Sequence, residues 1–307
     1  MAEGIICIDK PEGFTSFDVV AKVRGITKHR KIGHGGTLDP MATGVLPLFF
    51  GRAAKATELM PVQDKRYTAT FRLGIATDTQ DITGKVLARQ ETRVTREMVE
   101  EALRPIRGPI KQLPPMFSAV WVDGRRLYDL ARKGIEIERE PRDVVIHSLE
   151  LLAFDEENQE CTIDVKCSKG TYIRTICHDV GEALGVGGVL TALRRTETLG
   201  FSIQECYTLE QLCDIMAQGE LNQKMMPVDA AFREYGRMYL SPAQARMFLN
   251  GVRLDLDRTR CPKGDGLVRV YEPGRFLGLA RPDRDAGDLV IVKLFAENSR
   301  KAGEAEP

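Results

Sequence analysis

Apolar residues along this chain recur with two different periods, and the way the periods alternate predicts a mixed architecture. From Tyr67 to Leu73 the alternation is strict, with Tyr67, Ala69, Phe71 and Leu73 on one face and Thr68, Thr70 and Arg72 on the other, as in a half-buried strand. Cys161 to Cys167 alternates in the same way after the β-rich run Val144 to Phe154, and Ile5 to Asp9 reads as an early strand. Val19, Val20 and Val23 have helical spacing, with Ser16 as cap and Gly25 as stop. Leu127, Leu130 and Ala131 before Gly134, and Ile176, Val180, Ala183 and Leu184 before Gly185, mark two more helices that end on glycine. Thr208-Leu209-Glu210-Gln211 forms a capping box ahead of Leu212, Ile215 and Met216, with Gly219 as stop.

Near Tyr235-Gly236-Arg237 the pattern changes. Ser241-Pro242-Ala243-Gln244 opens a capped helix, and Leu267 to Val270, Phe276 to Leu279 and Leu289 to Val292 are short strands joined by Gly, Pro and Asp turns. The reading is a domain over 1–235, a small β-barrel-like domain over 236–298, and a frayed tail over 299–307 that is rich in Glu, Lys, Gly and Ala. The fold class expected is α+β: a mixed, largely antiparallel sheet flanked by helices, followed by the small β-rich domain.

Composition narrows the function classes without choosing among them. The 307 residues suffice for a large core, and 44 basic residues balance 44 acidic ones, so any affinity for nucleic acid must come from local patches. Seven cysteines form no C-x-x-C pair and are odd in number, which disfavours a zinc ribbon and a disulfide framework and favours reduced, cytosolic thiols. The four histidines make no H-x-x-x-H or H-E-x-x-H pattern, so no metal is expected. Neither a signal segment nor eighteen uninterrupted apolar residues occur, so the expectation is a cytoplasmic protein that stays off the membrane.

One stretch concentrates backbone constraints around a single carboxylate. Gly33-His34-Gly35-Gly36-Thr37-Leu38-Asp39-Pro40 supplies three glycines before Asp39 and a proline that biases Asp39 towards extended backbone. A capping Asp in a surface turn is the ordinary explanation of such a cluster. Two features count against it here. The apolar run Val45 to Phe50 follows at once, and from Val19 to Leu38 there is no acid, while Lys22, Arg24, Lys28, His29, Arg30, Lys31 and His34 crowd the interval. A basic segment leading to an isolated Asp suits a polyanionic substrate steered towards a reacting carboxylate. Asp64-Lys65-Arg66-Tyr67, Lys169 to Thr175 and Leu193-Arg194-Arg195-Thr196 add bases beside aromatic or apolar groups, a combination used to stack an unpaired base and hold its phosphates.

Taken together these motifs resemble the tRNA pseudouridine synthases that modify the uridine at position 55, in the TΨC loop. The family pattern G-H-x-G-[ST]-L-D-P-x-A-[ST]-G-x-L-P falls on Gly33 to Pro47, with Gly35 where Thr is frequent. The early K-P-x-G-x-[ST]-S segment falls on Lys10 to Ser16, and Pro114 to Ala119 matches another shared stretch. The resemblance implies that Asp39 is the catalytic aspartate, Tyr67 the tyrosine that stacks on the target base, Tyr172 the active-site tyrosine and Arg174 the arginine paired with Asp39. It further implies that Leu193 packs beneath the site and His34 contacts RNA beside the extruded nucleotide, while Lys10, Arg30 and Lys31 are assigned to phosphates. The C-terminal part resembles a PUA-like RNA-binding domain. No cofactor is implied, the partner is the TΨC stem-loop of tRNA, and a monomer is the default. A tRNA-binding folding helper and a guide-RNA-dependent synthase are the alternatives.

Overall fold

The computed structural model describes residues 3–122 and 124–296, so the tail expected over 299–307 lies outside the described residues. In chain order the principal elements are β1 (Gly4–Lys10), α1 (Ser16–Thr27), β2 (Thr43–Phe50), β3 (Lys65–Leu73), β4 (Arg142–Asp155), β5 (Glu160–Cys167), α2 (Ile173–Ala183), β6 (Gly188–Thr198), α3 (Leu209–Ala217), β7 (Gly236–Tyr239), α4 (Pro242–Leu249), β8 (Val268–Glu272), β9 (Arg275–Asp283) and β10 (Asp288–Leu294).

The first six strands form the centre of a ten-stranded sheet, in the order β1, β2, β6, β3, β5, β4. Every neighbouring pair in that run is antiparallel except β2 with β6, which is parallel and sets Arg194 beside Thr43 and Arg195 beside Gly44. This is the mixed, largely antiparallel sheet expected from the sequence. In β3, Tyr67, Ala69, Phe71 and Leu73 are buried as the alternation requires. β2 is buried almost throughout because α1 and α3 cover one face, where Leu46, Leu48 and Phe50 meet Val19, Val23 and Ile215. Helix α2 covers another part of the sheet and packs Ile173, Ile176 and Val180 against Phe71 and Ile163.

Two boundaries differ from expectation at α1. Its cap is Thr15, whose hydroxyl accepts from the Asp18 amide while the Asp18 carboxylate accepts from the Thr15 amide. The helix also runs past Gly25 to Thr27 and stops at Lys28, in the left-handed region at φ 58°. Ser16 is thereby released for a different contact, described below. The capping boxes of Thr208 with Gln211 and Ser241 with Gln244 form as expected.

The second sheet has five strands, ordered β7, β8, β9, β10 and the short strand Leu254–Asp255. Around it Met238, Ala245, Phe248, Val270, Leu277 and Leu289 make a separate core. A further cluster joins the two sheets: Phe232, Leu279 and Phe295 pack with Val45, Phe49 and Phe201, and the Arg269 guanidinium donates to the carbonyls of Tyr235 and Arg233.

Candidate active site

Asp39 lies in the loop that leaves the strand Ile32–His34 and enters β2. The loop is held by neighbours on both sides of the aspartate. Ser16, freed from capping, donates to the Leu38 carbonyl and accepts from the Leu38 amide at 2.8 Å. The Pro40 carbonyl accepts from the Gly13 amide at 2.9 Å and from Lys10 Nζ at 3.2 Å. At the far end Gly44 has φ +103°, and a Cβ there would stand 2.1 Å from the Arg195 carbonyl oxygen, so glycine alone fits.

Facing Asp39 is Arg174, one residue into α2. Its Nη2 lies 3.2 Å from Asp39 Oδ2 and donates to the Phe117 carbonyl at 2.9 Å. Its Nη1 donates to the Thr79 carbonyl at 3.0 Å and lies 3.4 Å from Asp81 Oδ2. Asp81 is itself buried, accepting from the Thr79 hydroxyl at 2.9 Å and from both the Thr83 amide and hydroxyl. A planar guanidinium with four such acceptors has little rotational freedom, so it presents one nitrogen to Asp39 in a fixed direction. Tyr172, which precedes α2, is clamped through its backbone by the Gln112 side chain, which accepts from its amide at 2.7 Å and donates to its carbonyl at 3.0 Å.

Tyr67 and Leu193 lie in the same buried cluster as Leu38, Ala42 and Ile173, the residues that flank Asp39 and Arg174. Asp39, Tyr67, Arg174 and Leu193 are therefore brought to one place. Burial pushes the Tyr67 phenol up to about 12, against the opposing effect of the Arg195 guanidinium beside its hydroxyl, so the ring stays neutral at physiological pH. His34 is half-buried at the edge of this region. Burial, reinforced by the charge of Arg195, lowers its pKa, and its Nδ1 is enclosed without a hydrogen-bond partner.

One assignment to an RNA phosphate requires correction, that of Lys10. Lys10 has no exposed surface, and its ammonium donates to the carbonyls of Pro11, Phe14 and Pro40, so it fastens the Asp39 loop instead of meeting phosphate. Stripping of water pushes its pKa down to about 8. Arg195, in one of the basic clusters, has no exposed surface either. Its neighbours in the basic clusters are committed to carboxylates: Arg66 pairs with Asp164 at 2.9 Å and Arg194 with Asp9 at 2.7 Å. Arg30 and Lys31 are exposed, but they line a separate groove of about 1160 Å³ with Lys28, Arg52, Lys55 and Arg275, and Asp39 is not part of that lining.

The structure also adds Asp81 and Gln112, which sequence reasoning passed over, and the loop-binding roles of Ser16 and Arg195. The polar turn Asp78-Thr79-Gln80-Asp81-Ile82-Thr83-Gly84 shows only turn chemistry in the sequence, and nothing in it points across to Arg174. Among the described residues, no group of three or more His, Cys, Asp or Glu could hold a metal ion, and no helix is long and apolar enough to cross a membrane.

Residues 24–173 match the family description "TruB family pseudouridylate synthase (N terminal domain)", residues 174–233 match "tRNA pseudouridylate synthase B C-terminal domain", and residues 237–290 match "Pseudouridine synthase II TruB, C-terminal". The chain is 46% identical over 297 residues to the tRNA pseudouridine synthase B of Azoarcus sp. (strain BH72), covering 96% of each protein. It is 39% identical to the tRNA pseudouridine synthase B of Clostridium tetani (strain Massachusetts / E88), covering 95% of this chain and 99% of that one. Among solved structures it superposes on a chain of a Cbf5-Nop10-Gar1 complex with a TM-score of 0.74 at 24% identity, over 96% of this chain and 86% of the other, which is a likeness of fold.

Proposed function

The chain belongs to the TruB family of pseudouridylate synthases, and on that premise we propose that it isomerises the uridine at position 55 in the TΨC loop of tRNA, using Asp39. The observation that carries the assignment of residues is the 3.2 Å pair of Asp39 with Arg174 in a cluster that also holds Tyr67 and Leu193.

The isomerisation breaks the N1–C1′ bond of uridine, turns the base, joins C5 to C1′, moves a proton onto N1 and releases the one from C5. It is redox-neutral. The Asp39 carboxylate either attacks C1′ or takes a proton from the sugar, and under both routes it must be ionised and aimed. Arg174 supplies the aim, since its other contacts leave one nitrogen for Asp39. The target uridine must leave its stack at a cost of a few kcal/mol, of which about 1 to 3 is returned by stacking on an aromatic ring such as Tyr67. Leu193, packed with Tyr67, keeps water from the detached base. Tyr172, whose backbone is clamped by Gln112, is assigned to the proton leaving C5. His34, held neutral, fills the space left in the RNA stack.

In this reading residues 1–235 form the catalytic domain and residues 236–298 a PUA-like RNA-binding domain. Arg30 and Lys31 meet phosphates along their groove, and the enzyme acts as a monomer in the cytoplasm without a cofactor. The test is tritium release from tRNA labelled at C5 of uridine, using the purified protein alone. Release by the wild type, mapped to the TΨC loop and absent in Asp39→Asn with RNA affinity retained, is the expected outcome. Tight binding without release by either protein would instead favour a folding helper or a guide-dependent enzyme.

A further inference from the structure

Arg195 heads the fully buried side chains by volume, yet it carries a charge. Among the described residues no carboxylate lies within ion-pair distance of it. A buried cation stripped of water is costly unless its donors are satisfied, and an apolar side chain of similar volume would fill the space at less cost. What the guanidinium does with its donors therefore explains its presence. Nε donates to the Val45 carbonyl at 2.9 Å, Nη1 to the Thr37 carbonyl at 3.3 Å and Nη2 to the Gly36 carbonyl at 3.0 Å. These acceptors lie on both sides of Asp39 in the chain. The guanidinium also meets the hydroxyl of Tyr67, its cross-strand partner on β3. Its backbone is pressed against Gly44, in register on β2.

We propose that Arg195 is a positioning residue for the reaction, stapling the two ends of the Asp39 loop together and to the hydroxyl of Tyr67, so that carboxylate and stacking ring keep one separation while the uridine turns between them. The inference rests on the pseudouridine synthase reading for its consequence and on the geometry alone for the staple. Only a planar fork reaches three carbonyls and a phenol at once; a lysine at 195 would offer a single point charge. The position of Arg195 on the central strand fixes the fork relative to both β2 and β3.

Two measurements on Arg195→Lys test this. In the free protein, hydrogen exchange of the amides in 36–45 is expected to accelerate, with the rest of the sheet unchanged. In single-turnover isomerisation of a labelled TΨC stem-loop, the rate constant is expected to fall by about tenfold or more with RNA affinity within about threefold, because misplacement of roughly 1 Å suffices to slow chemistry a hundredfold. Combined with Tyr67→Phe, the loss should be smaller than the product of the single losses, since both changes remove one contact. Unaltered exchange, an unaltered rate, multiplicative losses, or a rate that falls only as far as the folded fraction would each overturn the proposal. If Arg195→Lys does not accumulate as folded protein, Tyr67→Phe decides alone, with a rate within about twofold of wild type refuting the proposal. Absence of tritium release by the wild type would refute the pseudouridine reading and leave the exchange result to decide the staple.

Discussion

Asp39 and Arg174 form an asymmetric pair: at 3.2 Å separation the Asp39 side chain is 43% exposed and that of Arg174 only 7%. The carboxylate is open to solvent, and the guanidinium is fixed from behind by Thr79, Phe117 and Asp81. Preorganised charge of this kind acts without rearranging during the reaction. Replacing Arg174 by Lys keeps a positive charge and removes the fork. The single-turnover rate is expected to fall by about a hundredfold, comparable to the loss of one preorganised donor, with RNA affinity nearly unchanged. Parallel rate and filter-binding measurements check both.

Asp81 should matter to catalysis although it is 3.4 Å from Arg174 and makes no direct contact with Asp39. Asp81→Asn keeps the shape but removes a buried negative charge from a buried guanidinium, so stability should drop by roughly 3 kcal/mol, the lower range for breaking a buried pair. The rate constant should fall with KM held, and denaturant melts alongside kinetics separate the two effects.

How much of this site could be read from the sequence depends on whether a residue's role is local. Asp39 was legible because its constraints, the glycines and Pro40, are neighbours in the chain. The strand bearing Tyr67 was legible from its period of two, and the C-terminal caps from Ser, Gln and Pro at fixed offsets. Arg195 stood out only as one base of a cluster, because exposed and buried arginines look alike in sequence. Only the parallel pairing of β6 with β2 reveals that its side chain turns into the Asp39 loop. Asp81 was invisible for a related reason, being 93 residues from its partner, Arg174. Thr15, not Ser16, capped α1 because two adjacent hydroxyl residues compete for the cap, and the contact of Ser16 with Leu38 decided between them.

Lys10 gives the alkaline side of the pH profile a definite shape. Its ordinary pKa of 10.5 is lowered to about 8, so above pH 8 the ammonium loses a proton and with it one donor to the Pro11, Phe14 and Pro40 carbonyls. Activity is expected to fall through an apparent pKa near 8 as the Asp39 loop loosens. Stability should move the other way. A folded pKa below the unfolded one means the unfolded chain binds more protons between about pH 8 and 10.5, so this group's contribution rises with pH across that window and is lost as pH falls through 8. Lys10→Met should be slow at all pH values and lack the limb near 8, which a rate profile with matched melts would reveal.

Gly44 tests how closely the loop is packed. Gly44→Ala places a Cβ 2.1 Å from the Arg195 carbonyl oxygen at a φ of +103°. Backbone strain of about 1 to 3 kcal/mol then adds to overpacking of similar size. Gly134→Ala is the control, since Gly134 also has positive φ, at +70°, but open space around it. It should cost only the left-handed penalty of about 1 to 2 kcal/mol. Urea midpoints for the two variants distinguish a strained backbone from a true collision, and only Gly44→Ala should also depress isomerisation.

The groove lined by Lys28, Arg30, Lys31, Arg52, Lys55 and Arg275 bears on binding and not on chemistry, because Asp39 is absent from its walls. If Arg30 and Lys31 each neutralise one phosphate, binding of tRNA releases about one counterion per contact, and the slope of log affinity against log salt carries roughly 0.9 for each on duplex. Arg30→Gln with Lys31→Gln should therefore flatten the slope by about 1.8 and weaken all RNAs alike. At saturating enzyme the single-turnover rate should stay at the wild-type value, since neither side chain touches the Asp39 loop's fastenings. An unchanged slope would mean that the RNA does not enter this groove and reaches Asp39 over another surface.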